Sequence, residues 1–243
     1  MHHAMDQERR FTANAAHELR TPLAALRVQA ELAQSAGDAA SGALALRQVI
    51  AACDRLTRLV AQLLVLARVD EEPGPRAPCR LDSLAREVIA AAAPRALAAR
   101  QEIALDAPAA IEIDGHAELL AVLLRNLVDN ALLHGGAPLH VELALRREGG
   151  QVSIRIQDDG RGVAVEALAQ LGERFHRPEG TRAEGSGLGL ALVRRIAEWH
   201  GGTLRFDAGP GGRGFSATVT LPARAAATDA VGAGAGAGAG AHP

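Results

Sequence analysis

The sequence predicts two domains of different class: an all-α helical hairpin, followed by an α+β two-layer sandwich. Three observations carry this prediction. Across residues 6–70 apolar side chains recur at alternating three- and four-residue intervals with one polar break, the spacing of paired helices. Residues 71–78 hold Pro73, Gly74, Pro75 and Pro78, which cannot continue a helix and mark a linker. From residue 79 to 222 helical periods alternate with short segments of two-residue period, so helices are expected to cover one face of a mixed sheet.

In the hairpin, Leu19, Leu23, Leu26, Ala30 and Ala33 form the seam of the first arm. Leu46, Val49, Cys53, Leu56, Val60, Leu63 and Ala67 form that of the second, after a break at residues 35–42. Two helices alone leave such stripes uncovered, so a homodimeric four-helix bundle is expected, with packing against the rest of the chain as the alternative. Beyond the linker, residues 84–99 read as a helix that Pro94 must kink or shorten, 102–105 and 111–113 as short strands, and 116–134 as a long helix. Residues 139–145 and 152–157 form a hairpin around Glu148, Gly149 and Gly150. A helix at 188–200 and a second hairpin, 203–206 with 215–221, complete the domain. Residues 223–243 end in alternating Gly and Ala and are expected to be a disordered tail.

Composition removes several chemistries. The chain has no Lys and no Tyr; its 26 basic residues are all Arg. P-loop sites and Ser/Thr/Tyr-type kinases need a phosphate-binding lysine, and Schiff-base enzymes need a lysine amine. A net charge of -2 gives no footprint for nucleic acid. Cys53 and Cys79 stand apart, without the spacing of a zinc site or disulfide framework, which suits a reducing cytoplasm. No stretch reaches the roughly 18 apolar residues of a membrane span, and the N-terminus is too polar for a signal peptide. The segment as given is expected to be soluble.

Five segments carry chemistry. His17 lies two residues before Leu19, about 200° around the helix from it, and so faces away from the seam. A neutral imidazole is a nucleophile near physiological pH; Glu18 could take its proton, and Thr21, one turn on, could position a water. Asn126 and Asn130 stack on one face of an otherwise apolar helix. Either they satisfy each other as core amides, or an amide oxygen serves a Mg²⁺ ion carried in with phosphates. Arg125 and Asp129 read as an exposed i,i+4 ion pair. Asp158, at a strand end before Gly160 and Gly162, could accept from an adenine amino group, although such strings are also ordinary turns. Gly185, Gly187 and Gly189, with Leu188, open a helix whose free N–H groups suit phosphate; Leu190 stands where a dinucleotide fingerprint would need its last glycine. Between the glycine segments lie Arg174, Phe175 and Arg177, on an expected lid.

In order and spacing, these segments resemble the H, N, G1, F and G2 boxes of bacterial two-component sensor histidine kinases, over about residues 6–222. The opening Glu8-Arg9-Arg10-Phe11-Thr12 and residues 171–178 are similar to the quorum-type subgroup paired with OmpR-like regulators. The resemblance implies a dimerisation and phosphotransfer hairpin, then an ATP-binding domain of the Bergerat fold shared with gyrase and Hsp90, with ATP and Mg²⁺ as ligands. It implies His17 as phospho-acceptor, Glu18 as its base, and Thr21 as an aid in dephosphorylating the regulator. Asn130 would hold Mg²⁺ with Asn126 beside it, and Asp158 would read adenine. Gly160, Gly162, Gly185, Gly187, Leu188 and Gly189 would shape the lid and phosphate loop, with Arg174, Phe175 and Arg177 touching nucleotide.

The implied partners are a second copy of the chain and the receiver domain of an OmpR-like response regulator, with no direct nucleic acid contact. The family commonly has a basic residue three places after the second asparagine. Here Leu133 stands there, which leaves the phosphates to Arg174, Arg177 or backbone. Such kinases usually carry membrane helices ahead of the H box, so the expected location is cytoplasmic, reaching the inner membrane only through a preceding sensor region. Two other readings stay open. One is a non-catalytic or phosphatase-only dimeric module with weak ATP binding, prompted by Leu133. The other is a gyrase-type ATPase, which would need a carboxylate base where Asn126 stands.

Overall fold

A computed structural model describes residues 2–71, 74–173, 187–209 and 213–224, with backbone alone at 2–14, 17, 70 and 165. The hairpin consists of α1 (His2–Gln34) and α2 (Ala39–Asp70). The polar break is shorter than its composition suggests, because Asp38 caps α2: its side chain accepts from the N–H groups of Ala40 and Ser41, both at 2.9 Å. Ser41 and Gly42 therefore lie inside the helix.

The expected seam of α2 divides into two adjacent stripes. Ala45, Ala52, Leu59 and Leu66 are buried, with Val49, Leu56 and Leu63 half-buried between them. Leu46, Ile50, Cys53, Val60 and Leu64 form a second stripe that stays exposed in the single chain. The periodicity alone merged the two because both have heptad spacing and lie one residue apart.

The linker ends earlier than residue 78: Ala77–Arg80 is strand β1, paired antiparallel with β3 (Glu112–Gly115) in a small two-stranded sheet. Helix α3 (Leu81–Ala98) is not shortened by Pro94. Strand β2 (Gln101–Asp106) pairs parallel with β4 (Leu139–Glu148), and β4 hairpins with β5 (Gln151–Asp158). β5 pairs with β7 (Phe215–Pro222), and β7 with the edge strand β6 (Thr203–Ala208). The sheet order is β2-β4-β5-β7-β6, mixed as expected. Helices α3, α4 (Ala117–His134) and α6 (Gly189–Trp199) pack on it, and a single turn, α5 (Val165–Leu168), has no counterpart in the sequence reading.

Ala223 and Arg224 do not belong to a disordered tail. The Ala223 N–H donates to the Gly150 carbonyl at 2.8 Å, and the Arg224 guanidinium meets Glu112 at 3.1 Å and Asp114 at 3.5 Å. Residues 225–243 of the expected tail lie outside the described residues.

One core joins sheet and helices. Helix α4 buries Leu119, Leu120, Leu123, Leu124, Leu127, Val128 and Ala131, and α6 adds Leu192, Val193, Ile196 and Ala197. Leu59, Leu66 and Val69 of α2 belong to the same apolar cluster, so the hairpin is docked on the α+β domain. The start of α4 is fixed from α6. Buried His200 holds its Nδ1 2.8 Å from the Ile196 carbonyl, and its Nε2 accepts from the His116 N–H at 3.1 Å. Burial lowers the His200 pKa, and this bonding suits the neutral ring. Arg76 donates to the carbonyls of Trp199 and His200 and lies over the Trp199 ring at 4.9 Å, tying the linker to the end of α6.

Candidate active site

The site is strung along α4. At its C-terminal end stands Asp158. The two-residue period of β5 buries Val152, Ile154, Ile156 and then Asp158, which is 5% exposed. Burial raises its pKa; the N–H groups of Gly160 and Phe215 pull the other way, and Asp159 adds to the rise. One carboxylate oxygen accepts from the Gly160 N–H at 2.9 Å.

Glycine is required around this carboxylate. A Cβ on Gly160 would lie 2.4 Å from the Gly135 carbonyl oxygen at the end of α4. Gly162 has φ +72°, and its Cβ would come 2.7 Å from the Gly214 oxygen. Gly214, with φ +75°, abuts the Asp158 backbone and donates its N–H to the Gly160 carbonyl at 2.9 Å. The sequence reading missed Gly135 and Gly214, since only the fold brings them to the turn.

One face of α4 then presents Leu133, Asn130 and Asn126 in turn toward its N-terminal end. Leu133 is 50% exposed. Asn130 is half-buried, and its side chain makes no hydrogen bond to another described residue. Asn126 is committed: its amide donates to the Val122 carbonyl at 2.8 Å, and its oxygen accepts from Gln62 of α2 at 2.9 Å. The two asparagines do not bond each other. Arg125 and Asp129 do not pair either. Arg125 turns back to the Ala121 carbonyl, and Asp129 meets Arg95 of α3, a partner that helix spacing cannot reveal.

The first residue of α6 closes this end. A Cβ on Gly189 would come 3.1 Å from the Asn126 oxygen, so helix α6 begins against the amide. Gly187 has φ +65°, and Leu188, fully buried, anchors the turn. The N-cap residue of α6 is Leu188, whose side chain cannot cap, and a helix N-terminus of this kind directs backbone N–H groups where phosphate can meet them. Arg174, Phe175, Arg177 and Gly185 lie outside the described residues, as does the His17 side chain. The His17 backbone is helical within α1; Glu18 is half-buried, and Thr21 is exposed.

Comparison with known proteins agrees with this geometry. Residues 7–72 match the His Kinase A (phospho-acceptor) domain, and residues 115–225 match the histidine kinase-, DNA gyrase B- and HSP90-like ATPase. The sensor protein QseC of Salmonella typhimurium is 43% identical over 224 residues, which are 90% of this chain and 49% of QseC. The chain belongs to the sensor histidine kinase family. Two solved structures extend the likeness. Full-length ShkA in complex with AMPPNP is 31% identical with a TM-score of 0.63, covering 90% of this chain and 47% of ShkA. The cytoplasmic segment of QseC is 27% identical with a TM-score of 0.50, covering 70% of this chain and 95% of the segment. This sensor-kinase chain spans about half the length of the curated relatives it matches. No described helix is long and apolar enough to cross a membrane.

Proposed function

We propose that the chain is the catalytic core of an ATP-dependent protein-histidine kinase: ATP phosphorylates His17, and the phosphoryl group passes to an aspartate on a response regulator. One observation carries the reading. The buried carboxylate of Asp158 and the N-terminus of α6 lie at the two ends of one face of α4, with Asn130 between them and the phosphotransfer hairpin against the α6 end. That is the layout for adenine at one end and phosphates at the other, next to the acceptor domain.

Asp158, ionised, accepts from the exocyclic amino group of adenine, and burial strengthens that bond. The α6 N–H groups, with Arg174 and Arg177, hold the phosphates. A neutral amide oxygen suits a hydrated Mg²⁺ ion, and Asn130 is half-buried and uncommitted among the described residues, so it fits as the ligand. When bound with the triphosphate, that ion would neutralise phosphate charge. Neutral His17 attacks the γ-phosphorus in line: the N–P bond forms, the bond to the ADP oxygen breaks, and Glu18 takes the imidazole proton. Thr21 serves the opposing phosphatase activity by positioning a water that attacks the regulator's acyl phosphate, releasing inorganic phosphate and the free aspartate. The exposed stripe of α2 is the homodimer seam. By the resemblance of residues 8–12 and 171–178 to the quorum-type subgroup, the regulator is of OmpR type; by likeness to the cytoplasmic segment of QseC, the chain is the cytoplasmic portion of an inner-membrane kinase.

Leu133 favours a second reading, a phosphatase-only module that binds ATP poorly. Mixing the protein with γ-labelled ATP and a purified receiver domain separates the two. Label moving onto the receiver as a hydroxylamine-labile acyl phosphate supports the kinase; no saturable Mg·ATP binding at millimolar nucleotide supports the alternative.

A further inference from the structure

The contact between α2 and α4 is apolar along Leu59, Leu66 and Val69, carries a side-chain pair at Gln62 and Asn126, and opens at one end onto Arg68, Glu71, His116 and Glu118. Leu59, Leu66 and Val69 of α2 share a core with Leu119, Leu120 and Leu123 of α4. The two helices run antiparallel where they meet. Gln62 faces Asn126, whereas Val65, Arg68 and Glu71, further along α2, line a cavity of about 330 Å³ with His116, Leu119 and Val122, earlier on α4. Within this contact the Gln62 Nε2 donates to the Asn126 Oδ1 at 2.9 Å. The start of α6 lies close to the same pair: a Cβ on Gly189 would come 3.1 Å from the Asn126 oxygen and 3.9 Å from the Gln62 Nε2. Such a pair favours one register of the contact, because a slip breaks the bond to the Asn126 oxygen.

We propose that Gln62 is a latch: by holding the Asn126 oxygen it fastens the hairpin to the ATP domain and withholds that amide from the cation of the nucleotide. Docking and full loading of the nucleotide then compete for one oxygen atom. This inference rests on the proposed kinase reading, in which Asn126 stands beside the ion at Asn130. Asn126 keeps its bond to the Val122 carbonyl in either state, so only its oxygen changes partner.

The test is the affinity of the full chain for a fluorescent ADP analogue, with Mg²⁺ and with EDTA, in wild type, Gln62→Met and Gln62→Glu. Both substitutions remove the donor, one apolar and one charged, so a packing defect in either is exposed by the other and by its melting curve. Both variants should bind Mg·ADP roughly 2- to 10-fold more tightly than wild type, the value of one net hydrogen bond. The gain should disappear in EDTA. Unchanged or weaker binding in both folded variants, or an equal gain without Mg²⁺, overturns the latch while leaving the kinase reading intact. Absence of saturable binding in every form, wild type included, overturns both.

Discussion

Along β5 the same two-residue period that buries Val152, Ile154 and Ile156 also buries Asp158, so a position built for the core carries an acid. Its pKa is raised chiefly by that burial, which gives a directional pH prediction. The ionised form is the stronger acceptor for the adenine amino group, because protonation removes the charge and leaves a neutral carbonyl beside an O–H. ATP affinity in wild type should therefore fall on acidification at a higher pH than that at which ordinary carboxylates titrate. Asp158→Asn should bind ATP roughly 10- to 100-fold more weakly, with that pH dependence gone. The linked stability has the opposite sign. The folded chain holds the Asp158 proton more tightly than the unfolded chain, so without nucleotide this group makes the fold more stable as pH falls through the raised pKa. Isothermal titration across pH checks the binding, and equal affinity in the variant contradicts the role. Asp158 was legible because alternation and a following glycine pair mark a strand end. Gln62, Gly135 and Gly214 were not, since each acts through a contact distant in sequence.

At the scale of elements, the heptad repeats gave the hairpin but not its faces. Helix α2 carries two apolar stripes side by side, and sequence spacing cannot say which meets α1 and which is left open. The open one includes Ile50, 61% exposed, and Leu64, 60% exposed. Exchanging both for Glu disturbs no contact within the chain's own core, yet would bury charge in a dimer seam. Light scattering should give twice the chain mass for wild type and the single chain mass for the double variant; a monomeric wild type contradicts the seam. The linker was misjudged at its far end for a similar reason. Pro78 argues against a helix, but it is tolerated in the two-stranded edge pairing of Ala77–Arg80 with Glu112–Gly115. Pro94 failed to end α3 because the helix is held by buried Ala85, Val88, Ala92 and Ala96.

At the scale of the molecule, two domains with separate sequence signatures meet through one shared core. Leu59, Leu66 and Val69 place the hairpin against α4 and α6, and Arg76 fastens the linker to the end of α6. The order of the boxes announced both domains and their chemistry; their docking could not be read from either alone. In the proposed reaction the two domains move so that His17 comes into line with the γ-phosphate. The central claim is that this movement ends in a phosphohistidine at residue 17. Its most direct test is incubation of the protein with γ-³²P-ATP and Mg²⁺, followed by acid and alkali treatment of the labelled chain. The account predicts label that is lost in acid, kept in alkali and absent from His17→Ala; label appearing equally on His17→Ala, or label stable to acid, would contradict it.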